Sequence, residues 1–177
     1  MPRPRDVVTE RPTILFVGIN PGATSGKVGH HFAGPGNPFY RLLFASGLTS
    51  EQLVAADDQR LVEWNYALVN IVGRTTRTAA ELTREELVRG REQLARKVKA
   101  MKPEVVALVG VTLYPIVFGR TSTPGPGPKP ELLEGARVFV VPNPSGLNAT
   151  YPTFEAKLPW FVALAEFANV KARASRR

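Results

Sequence analysis

The sequence predicts an α/β fold of three layers, with a short, mostly parallel sheet of four or five strands between helices. Three observations predict it. Short apolar runs rich in Val, Ile and Phe alternate with stretches of helical periodicity. One run, Glu104–Gly110, is apolar almost throughout, as a strand covered on both faces is. The runs are bounded by clusters of Gly, Pro and Asn, which punctuate strand–loop–helix units.

Taken in order, residues 1–12 carry three prolines and mixed charge, and 1–11 is expected to be a flexible arm before a single domain over 12–169. Thr13–Gly18 reads as the first strand, followed by a long Gly/Pro-rich loop of the kind that is more often functional than idle. Asn37-Pro38 opens a helix, Asn as cap and Pro in the first helical position, and Gly47 ends it. Thr49 or Ser50 opens a short turn over 51–55. Asp57-Asp58 then caps a short helix to Trp64, a better use of paired acids here than metal binding or acid–base work. Tyr66–Val72 is the second strand, with polar Asn70 inside it and the basic loop 73–78 after it. Thr83-Arg84-Glu85-Glu86 is a capping box. The helix it opens carries Leu87, Leu94, Val98 and Met101 on one face and ends at Pro103. After the third strand, Glu104–Gly110, residues 111–119 form a short helix bent at Pro115. The Pro/Gly-rich connection 120–135 gives little reason for regular structure. Arg137–Val141 is the fourth strand, and 159–168 the last helix, with Pro159 in its first turn. Residues 170–177 are a basic tail, disordered by composition.

Composition narrows the function. With no cysteine in 177 residues, a disulfide scaffold, a thiolate zinc site and a cysteine-held iron–sulfur cluster are excluded. No apolar run approaches membrane-spanning length, and the N-terminal stretch lacks an apolar signal-peptide core. The expectation is a cytoplasmic, nucleoid-associated monomer with no membrane partner. The formal net charge is +8, and without Lys171, Arg173, Arg176 and Arg177 the body keeps about +4. Such a balance favours polyanions, nucleic acid first. A basic tail on an ordinary surface explains the charge equally well.

The chemistry-bearing residues sit at strand ends. The first and fourth strands both run into Asn-Pro turns, Ile19-Asn20-Pro21-Gly22 and Pro142-Asn143-Pro144-Ser145-Gly146. In a parallel sheet these ends share one side, where ligands bind, so the two loops can close on one cleft with Asn70 and the 74–78 loop on its rim. Gly22-Ala23-Thr24-Ser25-Gly26-Lys27-Val28 imitates a phosphate-binding P-loop but has Pro21 and Val28 where that motif needs Gly and Ser or Thr. Adjacent His30 and His31 rarely share one metal, and no third ligand is evident, so hydrogen-bonding or phosphate-facing roles suit them better. No metal or cofactor is expected. By residue type alone, Asn20 shapes its turn, Phe32 packs in the core, Asn70 bonds backbone at a strand end, and Leu147 is incidental.

Four blocks change that weighting: Gly18-Ile19-Asn20-Pro21-Gly22, then GHHFAGPGNPFY over 29–40, then LVNIVGRTT over 68–76, then Pro142-Asn143-Pro144-Ser145-Gly146-Leu147. In order and spacing, over about residues 12–168, they resemble the mismatch-specific uracil/thymine-DNA glycosylase family. The resemblance implies a uracil-DNA glycosylase fold and hydrolysis of the N-glycosidic bond of uracil, or a related base, flipped out of a G:U or G:T mismatch in double-stranded DNA. It implies that Asn20 positions the water, Phe32 stacks on the base, Asn70 reads the base edge, and Leu147 is the wedge. Ile19, Ser25 and His31 join the base pocket. Asn143, Pro144, Ser145 and Gly146 make up the wedge and phosphate-binding loop, Pro144, Ser145 and Gly146 bringing backbone amides to phosphates, with Lys27, Arg74 and Arg77 as further phosphate contacts. Bacterial members often have Lys where Asn70 stands. Asn70 with the HHF and GPGN block is closer to the eukaryotic thymine-acting branch, whereas NPSGL is of bacterial type. Ser25 stands where the family tunes acceptance of the 5-methyl group, and a polar Ser crowds a methyl more than Ala, which favours uracil over thymine. The rival readings are a non-catalytic nucleic-acid-binding domain on the same scaffold and a small phosphate-binding enzyme resting on the imperfect P-loop.

Overall fold

The computed structural model describes residues 3–122 and 124–170. Its strands are β1 (Ile14–Gly18), β2 (Tyr66–Asn70), β3 (Val105–Val109), β4 (Gly127–Leu133) and β5 (Ala136–Val141). They form one sheet in the order β2-β1-β3-β5-β4, parallel except for β4, which runs antiparallel to β5. The helices are α1 (Ala23–Val28), α2 (Phe39–Ala45), α3 (Arg84–Met101), α4 (Leu113–Phe118) and α5 (Phe154–Phe167), with a 3-10 segment at Ala55–Trp64 and a single 3-10 turn at Ala79–Glu81.

Strand alternation sorts the side chains into two cores. Ile14, Phe16, Tyr66, Leu68, Ala107 and Phe139 pack under α2 and α5 with Phe39, Leu42, Phe161 and Leu164. Leu15, Val17, Ala67, Val69, Val106 and Val140 pack under α3 and α4 with Leu94, Val98, Leu113 and Val117. Each fully buried Leu or Phe contributes on the order of 1.5–3 kcal/mol, so both helical layers are held by burial. The three-layer α/β/α architecture is the one the sequence predicts.

Four local expectations are corrected. The described part of the N-terminal arm is docked: Val7 is fully buried and exchanges two 2.9 Å backbone hydrogen bonds with Leu68 on β2. β2 is an outer strand of the sheet, and Val7 satisfies part of that edge. The 120–135 connection contains β4. Its prolines, Pro128 and Pro130, are tolerated because β4 lies at the other edge, where a strand can forgo N–H donors on its solvent side. Glu134 (φ 46°) and Gly135 (φ 86°) make the two-residue turn with positive φ that joins it to β5. The last helix starts earlier than expected, at Phe154, capped by the Thr153 hydroxyl, which accepts from the Ala156 N–H at 3.0 Å. Pro159 thus lies inside the helix and removes one intrahelical hydrogen bond, offset by burial of Phe161 and Leu164. The second strand ends at Asn70, although Ile71 and Val72 continue the backbone bonding to Gly18 and Ile19. Of the expected tail, Val170 packs against the core, and 171–177 lie outside the described residues. Among the described residues no helix is long and apolar enough to cross a membrane, and no cluster of three or more potential metal ligands occurs.

Candidate active site

A cavity of about 530 Å³ opens at the carboxyl ends of β1, β2, β3 and β5, where a doubly covered parallel sheet places its ligands. Both Asn-Pro loops reach it. Ile19, Asn20, Ser25, His31, Phe32, Asn70, Asn143, Ser145 and Leu147 line one space, together with Pro4, Thr76 and Arg77. Lys27, Arg74, Pro144 and Gly146 are not among its lining residues. No Asp or Glu lines it among the described residues.

Asn20 lies two residues beyond the end of β1, and its amide is fixed by three acceptors. Nδ2 donates to the Thr76 hydroxyl at 2.7 Å, to the Arg74 carbonyl at 2.9 Å and to the Pro21 carbonyl at 3.3 Å. Thr76 in turn donates its hydroxyl hydrogen to the Thr78 carbonyl at 2.8 Å, so toward Asn20 it can only accept. The amide orientation is therefore dictated: nitrogen to the loop, with Oδ1 left as an acceptor. Residue-type reasoning passes over Thr76, because its contact is with a residue 56 positions away.

The Arg74 guanidinium does not act as expected for a phosphate contact. It grips Glu86 with Nε and Nη2 at 2.6 and 3.0 Å and the Glu81 carbonyl at 3.0 Å. This bidentate fork, with the Thr83 N–H, holds the half-buried Glu86 carboxyl at a pKa of about 2. Arg74 serves the site through its backbone carbonyl instead. Arg77, exposed on the cavity rim, is the cation of this loop that lines the space.

Phe32 has φ 52°, a conformation few non-glycine residues adopt, and its ring stacks on buried Phe39 with centroids 4.1 Å apart at 29°. Backed by one aromatic and lining the cavity, it offers its other side as a platform. Asn70 stands beside it. A Cβ at Gly18 would lie 2.6 Å from Asn70 Oδ1, so β1 must end in glycine for the amide to fit. Gly26 likewise admits Thr75, whose hydroxyl a Cβ would meet at 2.3 Å, and this locks α1 against the 74–78 loop.

His31 is buried, and its Nε2 meets the Arg5 carbonyl at 2.8 Å. Burial pushes its pKa below the usual histidine value, against the opposing pull of that bond and of Asp58, so the neutral ring donates through Nε2–H. Its backbone N–H donates to Asp58 Oδ2 at 3.0 Å, and its carbonyl accepts from the Tyr40 hydroxyl at 2.8 Å. The imidazole is thus spent on holding its loop rather than on reading a base. The expected Asp57-Asp58 cap is corrected: the 3-10 segment starts at Ala55, Asp57 is its third residue and accepts the Val54 N–H from there, and fully buried Asp58 ties down His30 and His31. Ser25 is buried, and its hydroxyl accepts from the Ala33 N–H at 3.0 Å.

The loop after β5 ends in Leu147, which is 93% exposed. Its amides are mostly taken. Pro144 has no N–H, Ser145 donates to Asn143 Oδ1 at 2.9 Å, and Leu147 donates to the Ser145 hydroxyl at 3.2 Å. The expectation that 144–146 all offer amides to phosphate is corrected to Gly146 alone. Asn148 braces the loop, donating to the Asn143 carbonyl and accepting from the Thr150 and Tyr151 N–H groups, each at 3.1 Å.

A family model described as the uracil-DNA glycosylase superfamily matches residues 5–165. The chain belongs to that superfamily. It is accordingly a DNA glycosylase acting on uracil, a hydrolase of base-excision repair. The glycosylase match begins within the N-terminal segment that docks on β2.

Proposed function

We propose that this glycosylase is of the mismatch-specific type and excises uracil, flipped out of a G:U mismatch in duplex DNA, as a monofunctional hydrolase working as a monomer. The observation that carries this reading is the convergence of Asn20, Phe32, Asn70 and Leu147 on one cavity at the strand ends. Flipping costs a few kcal/mol in a duplex and least at a mismatch. Leu147 fills the vacated stack, as apolar wedges between base steps do. The extruded base lies on Phe32, a contact worth about 1–3 kcal/mol. The Asn70 amide, with both donor and acceptor, matches the N3–H and O4 of uracil.

The bond that breaks joins C1′ to N1. Its electron pair leaves with the base as an anion, while the sugar takes on oxocarbenium character. Oδ1 of Asn20 accepts a hydrogen bond from water and holds it for attack on C1′, and the water proton passes to solvent. An amide orients water without removing its proton strongly, so the rate leans on stabilising the leaving base. Thr76 acts through Asn20. Thr76→Val is expected to slow single-turnover excision about tenfold, Thr76→Ser to retain most of it, and Thr76→Val to add nothing in an Asn20→Ala background.

Ser25 carries the discrimination against thymine. Its hydroxyl is held by the Ala33 N–H and cannot swing away from a 5-methyl group. Incubation of G:U, G:T and A:U duplexes followed by alkali should give strand breaks fastest for G:U. Ser25→Ala should narrow the gap between G:U and G:T. Faster cleavage at G:T than at G:U by the native chain contradicts the uracil preference, and no break at any duplex contradicts the enzyme.

A further inference from the structure

The N-terminal segment, expected to be loose, is built into the cavity. Pro4 is buried and lines the space alongside His31 and Asn70. Its two neighbours fix it in place. On one side the Arg5 carbonyl accepts from His31 Nε2–H at 2.8 Å and from Gln59 Nε2 at 3.2 Å. On the other, Arg3 lies against Gly73, where an added Cβ would come within 2.6 Å of its Nη1. Two residues further on, the Val7–Leu68 backbone pair and the Asp6–Lys97 ion pair at 2.8 Å anchor the segment to β2 and α3. Pro4 therefore spans from the His31 loop to the end of the strand that carries Asn70. A proline there offers an apolar surface with fixed φ and no N–H that would need a partner.

We infer that the Arg3–Val7 segment is a wall of the base cavity and that Pro4 determines how large a base the cavity admits. The inference rests on the base-binding reading of this cavity. A wall of one small ring, held from both sides, limits size sterically. It does not discriminate by hydrogen bonding, which Asn70 supplies. Shrinking and enlarging the side chain must then act in opposite directions, whereas a residue that merely supports the scaffold is damaged by both changes.

The test uses the full chain with Pro4→Gly and Pro4→Leu. Duplexes carry mispaired uracil or hypoxanthine, which presents the same N–H and carbonyl edge on a two-ring frame. Pro4→Gly is expected to raise the ratio of hypoxanthine to uracil single-turnover rates about tenfold or more. Pro4→Leu is expected to lower uracil excision about tenfold while abasic-duplex affinity stays near that of the native chain. Fluorine NMR of free 5-fluorouracil supplies a readout without turnover: the native chain broadens the signal and Pro4→Leu does not. Unchanged ratios in both variants, or losses on both bases in both variants, overturn the inference while leaving the glycosylase reading intact. A native chain that binds 5-fluorouracil and excises nothing, with Pro4→Leu abolishing that binding, leaves the wall standing and removes the mismatch-glycosylase reading.

Discussion

Asn20→Ala is expected to reduce the single-turnover rate of uracil excision by at least about a hundredfold, with affinity for abasic duplex nearly unchanged. The size of the effect follows from how completely the residue is positioned. Its amide nitrogen has three acceptors within 3.3 Å, and among the described residues no carboxylate lines the cavity to take over the water. The effect should fall on the chemical step, because in the proposed mechanism Asn20 holds the attacking water rather than the duplex. Stability should change little, since Asn20 is only part-buried and the Arg74 carbonyl it leaves is exposed to water. Measuring the rate at saturating enzyme alongside binding to an abasic analogue separates the two effects. Equal rates for the two proteins would remove Asn20 from the mechanism.

Leu147→Ala should be nearly as damaging on duplex DNA and nearly silent for folding. The side chain is 93% exposed and outside both cores, so thermal stability should stay within the small range of surface substitutions. In the proposed complex the same side chain fills the gap left by the flipped base. Loss of about 1.4–2.8 kcal/mol of that filling converts to about ten- to a hundredfold in duplex excision. The penalty should shrink for uracil in a single strand, where there is no stack to fill. A loss of equal size on both substrates would give Leu147 some other task.

The fold was largely legible because the strands carry short apolar runs and the helices carry caps. Thr83 and Glu86 form their reciprocal cap with bonds of 3.1 and 2.8 Å. The missed strand β4 shows where such reading stops. Pro128 and Pro130 argue against a strand unless the strand is known to lie at an edge, and edge position is a property of the whole sheet. Pro159 misled in the same way, since its place within α5 depends on a cap six residues upstream and on burial against β5 and α2. Val7 was hidden because one buried valine between charges and prolines has no periodicity.

At the site, residue types and order identified which side chains gather, and the cavity holds ten of the residues singled out, Arg77 among them. What each one does there depended on contacts. Arg74 has the right charge for phosphate but is committed to Glu86, and His31 has the right chemistry for a base edge but is committed to Arg5. Thr76 and Pro4 carry no signal in isolation. One matters through the rotamer of Asn20, the other through a segment that sequence reading leaves unattached.

If the two strand-end loops hold a swung-out pyrimidine between them, a crystal structure with duplex DNA carrying 2′-fluoro-deoxyuridine opposite guanine, in which the fluorine slows bond cleavage, should capture it. The expected result has uracil on Phe32, its N3–H and O4 against Asn70, a water between Asn20 Oδ1 and C1′, and Leu147 within the base stack. Uracil still paired inside the duplex, or extruded to a surface remote from Asn20, would contradict it.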